Sequence, residues 1–293
     1  MKVEAGLLAA SIVVLSNLKP VRSFFEDFTT PRLPTLADQT HFSPRRPITD
    51  RYRHSPYAVL YSEEADEWSN ARKQAEVRQA FQDAWEGYRR HAWGADEVRP
   101  VTGDRRDTRN GWGATVVDAL DTLFIMGFEE EFLEARDFVA QLDWTKPRNS
   151  LVNVFETTIR YVGGLLAAYD LSEDRVFLDK AEELVSLLLP AFDSPTGMPW
   201  QNVDFDSGKS APSGFPNGAS VLAEVGTVQL EFTHLSYLTG NWTYHAIAQK
   251  TIDYFDKHVQ TKPPNAYPML IDVTNGKLYT GKFPIQRSKA QSL

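Results

Sequence analysis

The run Leu151–Asp170, LVNVFETTIRYVGGLLAAYD, carries two opposite charges in a mostly apolar setting, Glu156 and Arg160. Four residues apart on a helix, a carboxylate and a guanidinium share a face. Gly163 and Ala167 fall in line with them, so that face would form the wall of a cavity for a polar ligand. The carboxylate can give or take a proton and the guanidinium can donate several hydrogen bonds to hydroxyl groups. The alternative is an exposed pair that stabilises the helix by about 0.3–0.5 kcal/mol and does no chemistry. Two further acidic pairs repeat the theme, Asp118 with Asp121 and Glu224 with Glu231, each beside an apolar stripe. A buried carboxylate needs a partner or it loses its charge, so such pairs mark either a hydrogen-bonded wall or a polar cavity.

Helices must position these groups. Phe155, Ile159, Val162, Leu166 and Tyr169 form one apolar stripe along a continuous helix over Leu151–Asp170. Val221, Val225, Val228, Phe232 and Leu235 repeat its spacing and predict a second such helix carrying Glu224 and Glu231. Ala114–Met126 reads as a helix between Gly113 and Gly127, followed by another over Glu130–Leu142. The partner of the central helix runs from Arg175 to Leu189 and stops at Pro190. A long amphipathic helix starts at Glu63 and ends before Gly94, and a last one covers Thr243–His258. Between them, Ala95–Pro100 reads as a loop with Asp96 and Glu97 at its tip, and Asp193–Ala219 as a long loop in which Trp200, Asn202 and Asp204 are polar or aromatic candidates. Thr274-Asn275-Gly276 between two apolar runs signals a hairpin, Tyr267–Val273 with Lys277–Tyr279. Helix pairs joined alternately by short and long loops predict an all-α toroid of antiparallel hairpins.

Four blocks in order resemble the class I α-1,2-mannosidases, glycoside hydrolase family 47: AFQDAWEGYRRHAWGADEVRP, NGWGATVVDALDTLFIMG, NVFETTIRYVGGLLAAYDLS and AEVGTVQLEFTHLSYLTGN. The resemblance implies an (α/α)7 toroid, of which this chain would hold about half, and trimming of high-mannose N-linked glycans or glycoproteins by inverting hydrolysis. In that reaction an acid protonates the leaving oxygen while a base activates water on the opposite face. Glu156 matches the family's acid, thought to act through a water. It would have to be protonated, which burial favours and Arg160 opposes. Arg160 and Glu224 match residues that line the sugar pocket, and the family places Asp118 and Asp121 on the cavity wall. Asp96 and Glu97 lie near the family's sugar-binding end as candidate substrate contacts, with a solvated acidic turn as the alternative.

The resemblance also implies Ca2+ at the barrel floor, an oxygen-seeking ion that contacts the sugar. The threonine that helps hold it, and both remaining catalytic carboxylates, would lie beyond Gly281, where KFPIQRSKAQSL departs from the family pattern. A truncated chain with poor activity is therefore expected. Two other readings stand beside it: a non-hydrolytic mannose-binding relative of the quality-control kind, and a structural helical-repeat scaffold.

A chain of 293 residues with 42% hydrophobic content buries a sizeable core, and a net charge of −8 excludes general nucleic-acid binding. With no cysteine there is neither a disulfide nor a thiolate metal site. Lys2 followed by AGLLAASIVVL predicts a signal peptide or short anchor over residues 1–23, too short to read as a spanning helix. Residues 24–62, rich in Pro and Arg, read as a poorly ordered stem, and 63–293 as the helical domain. A secretory-pathway or secreted protein follows, touching membrane only if the first segment is uncleaved. Asn241-Trp242-Thr243 is then a usable N-glycosylation sequon.

Overall fold

The computed structural model describes residues 70–215, 218–261 and 267–279. The expected signal segment, the stem and the residues after Gly281 lie outside the described residues. Among the described residues ten α-helical segments alternate with short strands. They are α1 (Asn70–Ala92), α2 (Ala114–Asp118), α3 (Leu120–Ile125), α4 (Glu129–Ala140), α5 (Val154–Thr157), α6 (Gly163–Ser172), α7 (Arg175–Leu188), α8 (Leu222–Val225), α9 (Gln229–Thr239) and α10 (Thr243–His258).

Local sequence accounts for most boundaries. Asp174 accepts the Val176 N–H to start α7, and Pro190 turns its end into a short 3-10 segment, Leu189–Phe192. Between them Phe177, Leu178, Ala181, Leu184, Val185 and Leu188 form one buried stripe. Helices α3, α6 and α9 pack side by side, while α4 and α7 pack behind α3 and α6. Helix α10 lies against α9, and its Tyr244 hydroxyl reaches Glu182 of α7 at 3.0 Å. This is the paired-helix arrangement expected from the spacing.

The expected helix Ala114–Met126 breaks at Ala119 between α2 and α3, and two further helices depart from the expected continuity. The apolar run at Leu151 opens as a strand, β3 (Leu151–Asn153), and the helix begins only after Asn153, whose side chain accepts the Glu156 N–H at 2.8 Å. A π turn, Thr158–Val162, then joins α5 to α6. Here the Thr158 hydroxyl donates to the Val154 carbonyl at 2.8 Å, a back-bond that loosens the helix ladder. The extra residue rotates the buried face: Tyr161, Leu165 and Ala168 are buried, whereas Phe155, Ile159 and Tyr169 of the expected stripe are half-buried. In the second, Val221 belongs to β6 (Ser220–Val221) and the chain breaks at Gly226 between α8 and α9.

The hairpin is present as β7 (Leu270–Ile271) and β8 (Leu278–Tyr279), and β6 joins it antiparallel as a third strand, Ser220 opposite Ile271. The long loop holds a second hairpin, β4 (Asn202–Asp204) and β5 (Lys209–Ala211), which extends β3 with Val152 opposite Val203. Residues Glu97–Val98 (β1) pair with Arg105–Arg106 (β2). Strands β3 and β6 both run directly into helices, α5 and α8. Glu156 and Glu224 therefore occupy matching places in the first turn of a helix fed by a sheet.

Candidate functional site

The first turn of α5 and the loop before α2 face each other across a cleft of about 210 Å³. Thr108, Arg109, Asn110, Asn149, Asn153 and Glu156 supply its polar lining, and Tyr161 forms part of its wall. Glu156 is held from two directions. Arg160 donates from Nε to Oε2 at 2.8 Å, and the Arg109 guanidinium reaches Oε1 at 3.3 Å. The same Arg160 reaches Asp118 at 3.3 Å, so two carboxylates meet at one guanidinium. The Glu156 side chain is 27% exposed, recessed yet open to the cleft. Burial raises Asp118 above the ordinary carboxylate range, and Arg160 only partly offsets this.

The other expected site residues are distributed differently. Glu224 accepts the Gln201 amide at 2.9 Å and lines a separate small pocket with Trp200 and Phe155. Asp121, past the break at Ala119, accepts the Thr122 hydroxyl at 3.1 Å and acts on Asp118 only through its charge. Glu97 is tied to the Thr108 hydroxyl at 3.1 Å and to Arg106 at 3.5 Å. Asn241 sits exposed in the turn before α10 and accepts the Thr243 N–H at 3.2 Å.

Asp96 departs from both of its expected roles, solvated turn and substrate contact. It is 2% exposed, with its carboxylate turned into its own fold. Oδ2 accepts the N–H of Arg109 at 2.6 Å and of Gly111 at 2.8 Å, while Oδ1 accepts that of Ala114 at 3.2 Å. The reason is backbone satisfaction. This loop bends back at Gly113, at φ 71°, where a Cβ would lie 2.7 Å from the Phe138 ring, and its amides have no strand or helix to bond.

Glu231 contributes a half-buried carboxylate that the break at Gly226 separates from Glu224. It lies against Gly163 of α6, and burial pushes it above the usual range. Among the described residues its Oε2 has no protein hydrogen-bond partner.

Arg109 is the site residue that spacing did not single out. It sits in an irregular polar loop and meets Glu156 only through tertiary folding. Asn153 did have a signal: an Asn three residues before Glu156 matches the helix-start pattern and would have set the helix boundary correctly.

Comparison with known proteins places this geometry. A family model described as glycosyl hydrolase family 47 matches residues 80–290, continuing past Gly281. A mannosyl-oligosaccharide 1,2-alpha-mannosidase of Arabidopsis thaliana is 41% identical over 235 residues, covering 77% of this chain and 41% of that protein. An endoplasmic reticulum mannosyl-oligosaccharide 1,2-alpha-mannosidase of Rattus norvegicus is 42% identical over 215 residues, 71% of this chain and 31% of that one. The structure of an alpha-1,2-mannosidase from Trichoderma reesei superposes with a TM-score of 0.67 at 34% identity, covering 72% of this chain and 46% of that one. The chain thus spans less than half the length of each.

Proposed function

The chain belongs to glycosyl hydrolase family 47, and from that premise we propose that the cleft at Glu156 binds an α-1,2-linked mannose of a high-mannose N-linked glycan for inverting hydrolysis. The Arabidopsis and rat relatives carry mannosyl-oligosaccharide 1,2-alpha-mannosidase in their names. The observation that carries the reading is the double hold on Glu156 by Arg109 and Arg160 at an open cleft. Guanidinium forks and carboxylates suit vicinal hydroxyls, each of which both donates and accepts.

Glu156 is assigned as the acid. Oε2 accepts from Arg160 while Oε1 meets Arg109 as an ion pair, and neither contact uses up the lone pairs of its oxygen. Inversion needs a second carboxylate on the opposite face of the sugar. Asp118 is bound to the same guanidinium as Glu156, so it lies on the same side, and its role is binding. We assign no base among the described residues. Arg160 and Glu224 bind substrate, Glu224 from the neighbouring pocket, while Asp121 and Glu97 support the wall.

The family implies Ca2+. Among the described residues no group of three or more His, Asp or Glu side chains is arranged to hold a metal ion. A carboxylate or imidazole site for the ion is thus not found among them, and no step is routed through it.

The pairing of Glu156 with two arginines also suits a second reading, a mannose-binding relative that does not hydrolyse. A secretory-pathway location, a signal or anchor over residues 1–23, a stem over 24–62 and glycosylation at Asn241 accompany either reading. Incubation with a high-mannose glycan separates the two. Mannose release that Glu156→Gln abolishes supports hydrolysis. Saturable binding without release supports the binding reading, and absence of both rejects the site.

A further inference from the structure

The Arg109 guanidinium reaches Glu156 from a loop, and two residues hold that loop from behind, Asp96 and Tyr161. Asp96 gathers the amides of Arg109, Gly111 and Ala114. The Tyr161 hydroxyl lies 2.5 Å from the Arg109 carbonyl oxygen and 3.1 Å from Asp96 Oδ1. The N–H and the carbonyl of Arg109 are thus both fixed, and its backbone has no freedom to withdraw the side chain. Tyr161 is itself wedged edge-on between Trp112 and Trp144, at ring-centre distances of 5.6 and 5.7 Å. Asp96 is anchored in turn: its N–H donates to Asp107 at 3.0 Å, and its carbonyl accepts the Thr115 N–H at 3.0 Å and hydroxyl at 2.6 Å. Arg148, which pairs with Asp107, donates its N–H to the Asn110 carbonyl at 2.8 Å and ties the opposite rim to the same loop.

We propose that Asp96 and Tyr161 are positioning residues that act through the Arg109 loop and set the height of Arg109 over Glu156. The sugar consequence rests on the reading of the cleft as a mannose site; the positioning itself does not. Burial and the neighbouring Asp96 push Tyr161 far above its ordinary value, so its hydroxyl remains a donor throughout the working pH range. A carboxylate that accepts three backbone N–H groups cannot be replaced by an amide without turning an NH2 toward one of those donors.

The test compares Asp96→Asn and Tyr161→Phe with the wild-type chain by two readouts. In the first, the Nε–H NMR signal of Arg109 reports how rigidly its side chain is held, with no sugar present. Restricted motion in the wild type that becomes free in either variant is expected. Unchanged motion in both variants overturns the proposal. In the second, affinity for α-1,2-linked mannobiose should fall roughly tenfold in Asp96→Asn, the loss of one charge-assisted contact. It should fall no further when Asp96→Asn is added to Arg109→Ala. An equal fall in the Arg109→Ala background contradicts action through Arg109. Should Asp96→Asn fail to fold, Tyr161→Phe decides the same question by both readouts. Should the wild type bind no mannobiose, the mannose reading fails, and the Arg109 signal still decides the positioning claim.

Discussion

Arg160 donates its Nε–H to Glu156 at 2.8 Å while its other arm reaches Asp118 at 3.3 Å, so one guanidinium joins two helices at the lip of the cleft. Replacing Arg160 by Lys keeps the charge and loses the fork. We expect Arg160→Lys to weaken glycan binding about tenfold, in line with one lost charge-assisted bond of about 1.5 kcal/mol. Calorimetric titration with a high-mannose oligosaccharide checks this. Equal affinity in both proteins would place the ligand elsewhere.

Gly164 approaches α2 so closely that a Cβ would lie 2.6 Å from the Val117 carbonyl oxygen. A backbone atom cannot yield as a flexible side chain would. Gly164→Ala should therefore destabilise the fold by about 1–3 kcal/mol, despite the higher helix propensity of Ala. At neighbouring Gly163 a Cβ would come no nearer than 3.7 Å to Glu231 Oε1 and the Thr158 carbonyl oxygen, so Gly163→Ala should be neutral or stabilising by roughly 0.5–1 kcal/mol. Urea unfolding of the two variants should move in opposite directions or differ clearly in size.

His234 of α9 meets Asp170 of α6 at 2.7 Å, and this bond raises the imidazole above 6.5. A group raised on folding stabilises fully below its unfolded value and loses that contribution as pH rises through its folded value. The melting temperature should decline from about pH 6.5 upward, and His234→Gln should flatten that part of the profile. The side chains are 39% and 37% exposed, which limits the effect to about 0.2–1 kcal/mol. A profile unchanged by the substitution would show that the pair contributes nothing.

Asp174 caps α7 through the Val176 N–H at 3.0 Å and takes Arg136 of α4 at 2.8 Å. Asp174→Ala should cost about 1–2 kcal/mol in thermal or denaturant unfolding. Asp174→Asn, which keeps the cap and drops the charge, should recover most of the loss.

Periodicity made much of the fold legible. Helix α10 spans the expected Thr243–His258, and Pro190 stops α7 as read. Both signals are local. What escaped depends on distant pairing: β4 and β5 hide in a Gly- and Ser-rich loop because their stability comes from β3. The rotated face of α6 came from the π turn at Thr158–Val162, which no apolar count registers. At the site, Glu156 and Arg160 were readable because they share a helix. Arg109 was not, and Asp96 was read as a substrate contact rather than a clamp, since each acquires its partner only when separate segments meet.

We propose that mannose binds in the Glu156 cleft. Titration of the purified chain with α-1,2-linked mannobiose, followed by calorimetry, addresses it directly. A saturable heat in the wild type that falls at least about tenfold in Glu156→Gln and in Arg109→Ala is the expected result. A wild type that binds no mannobiose, or variants that bind it as well as the wild type, would contradict the account.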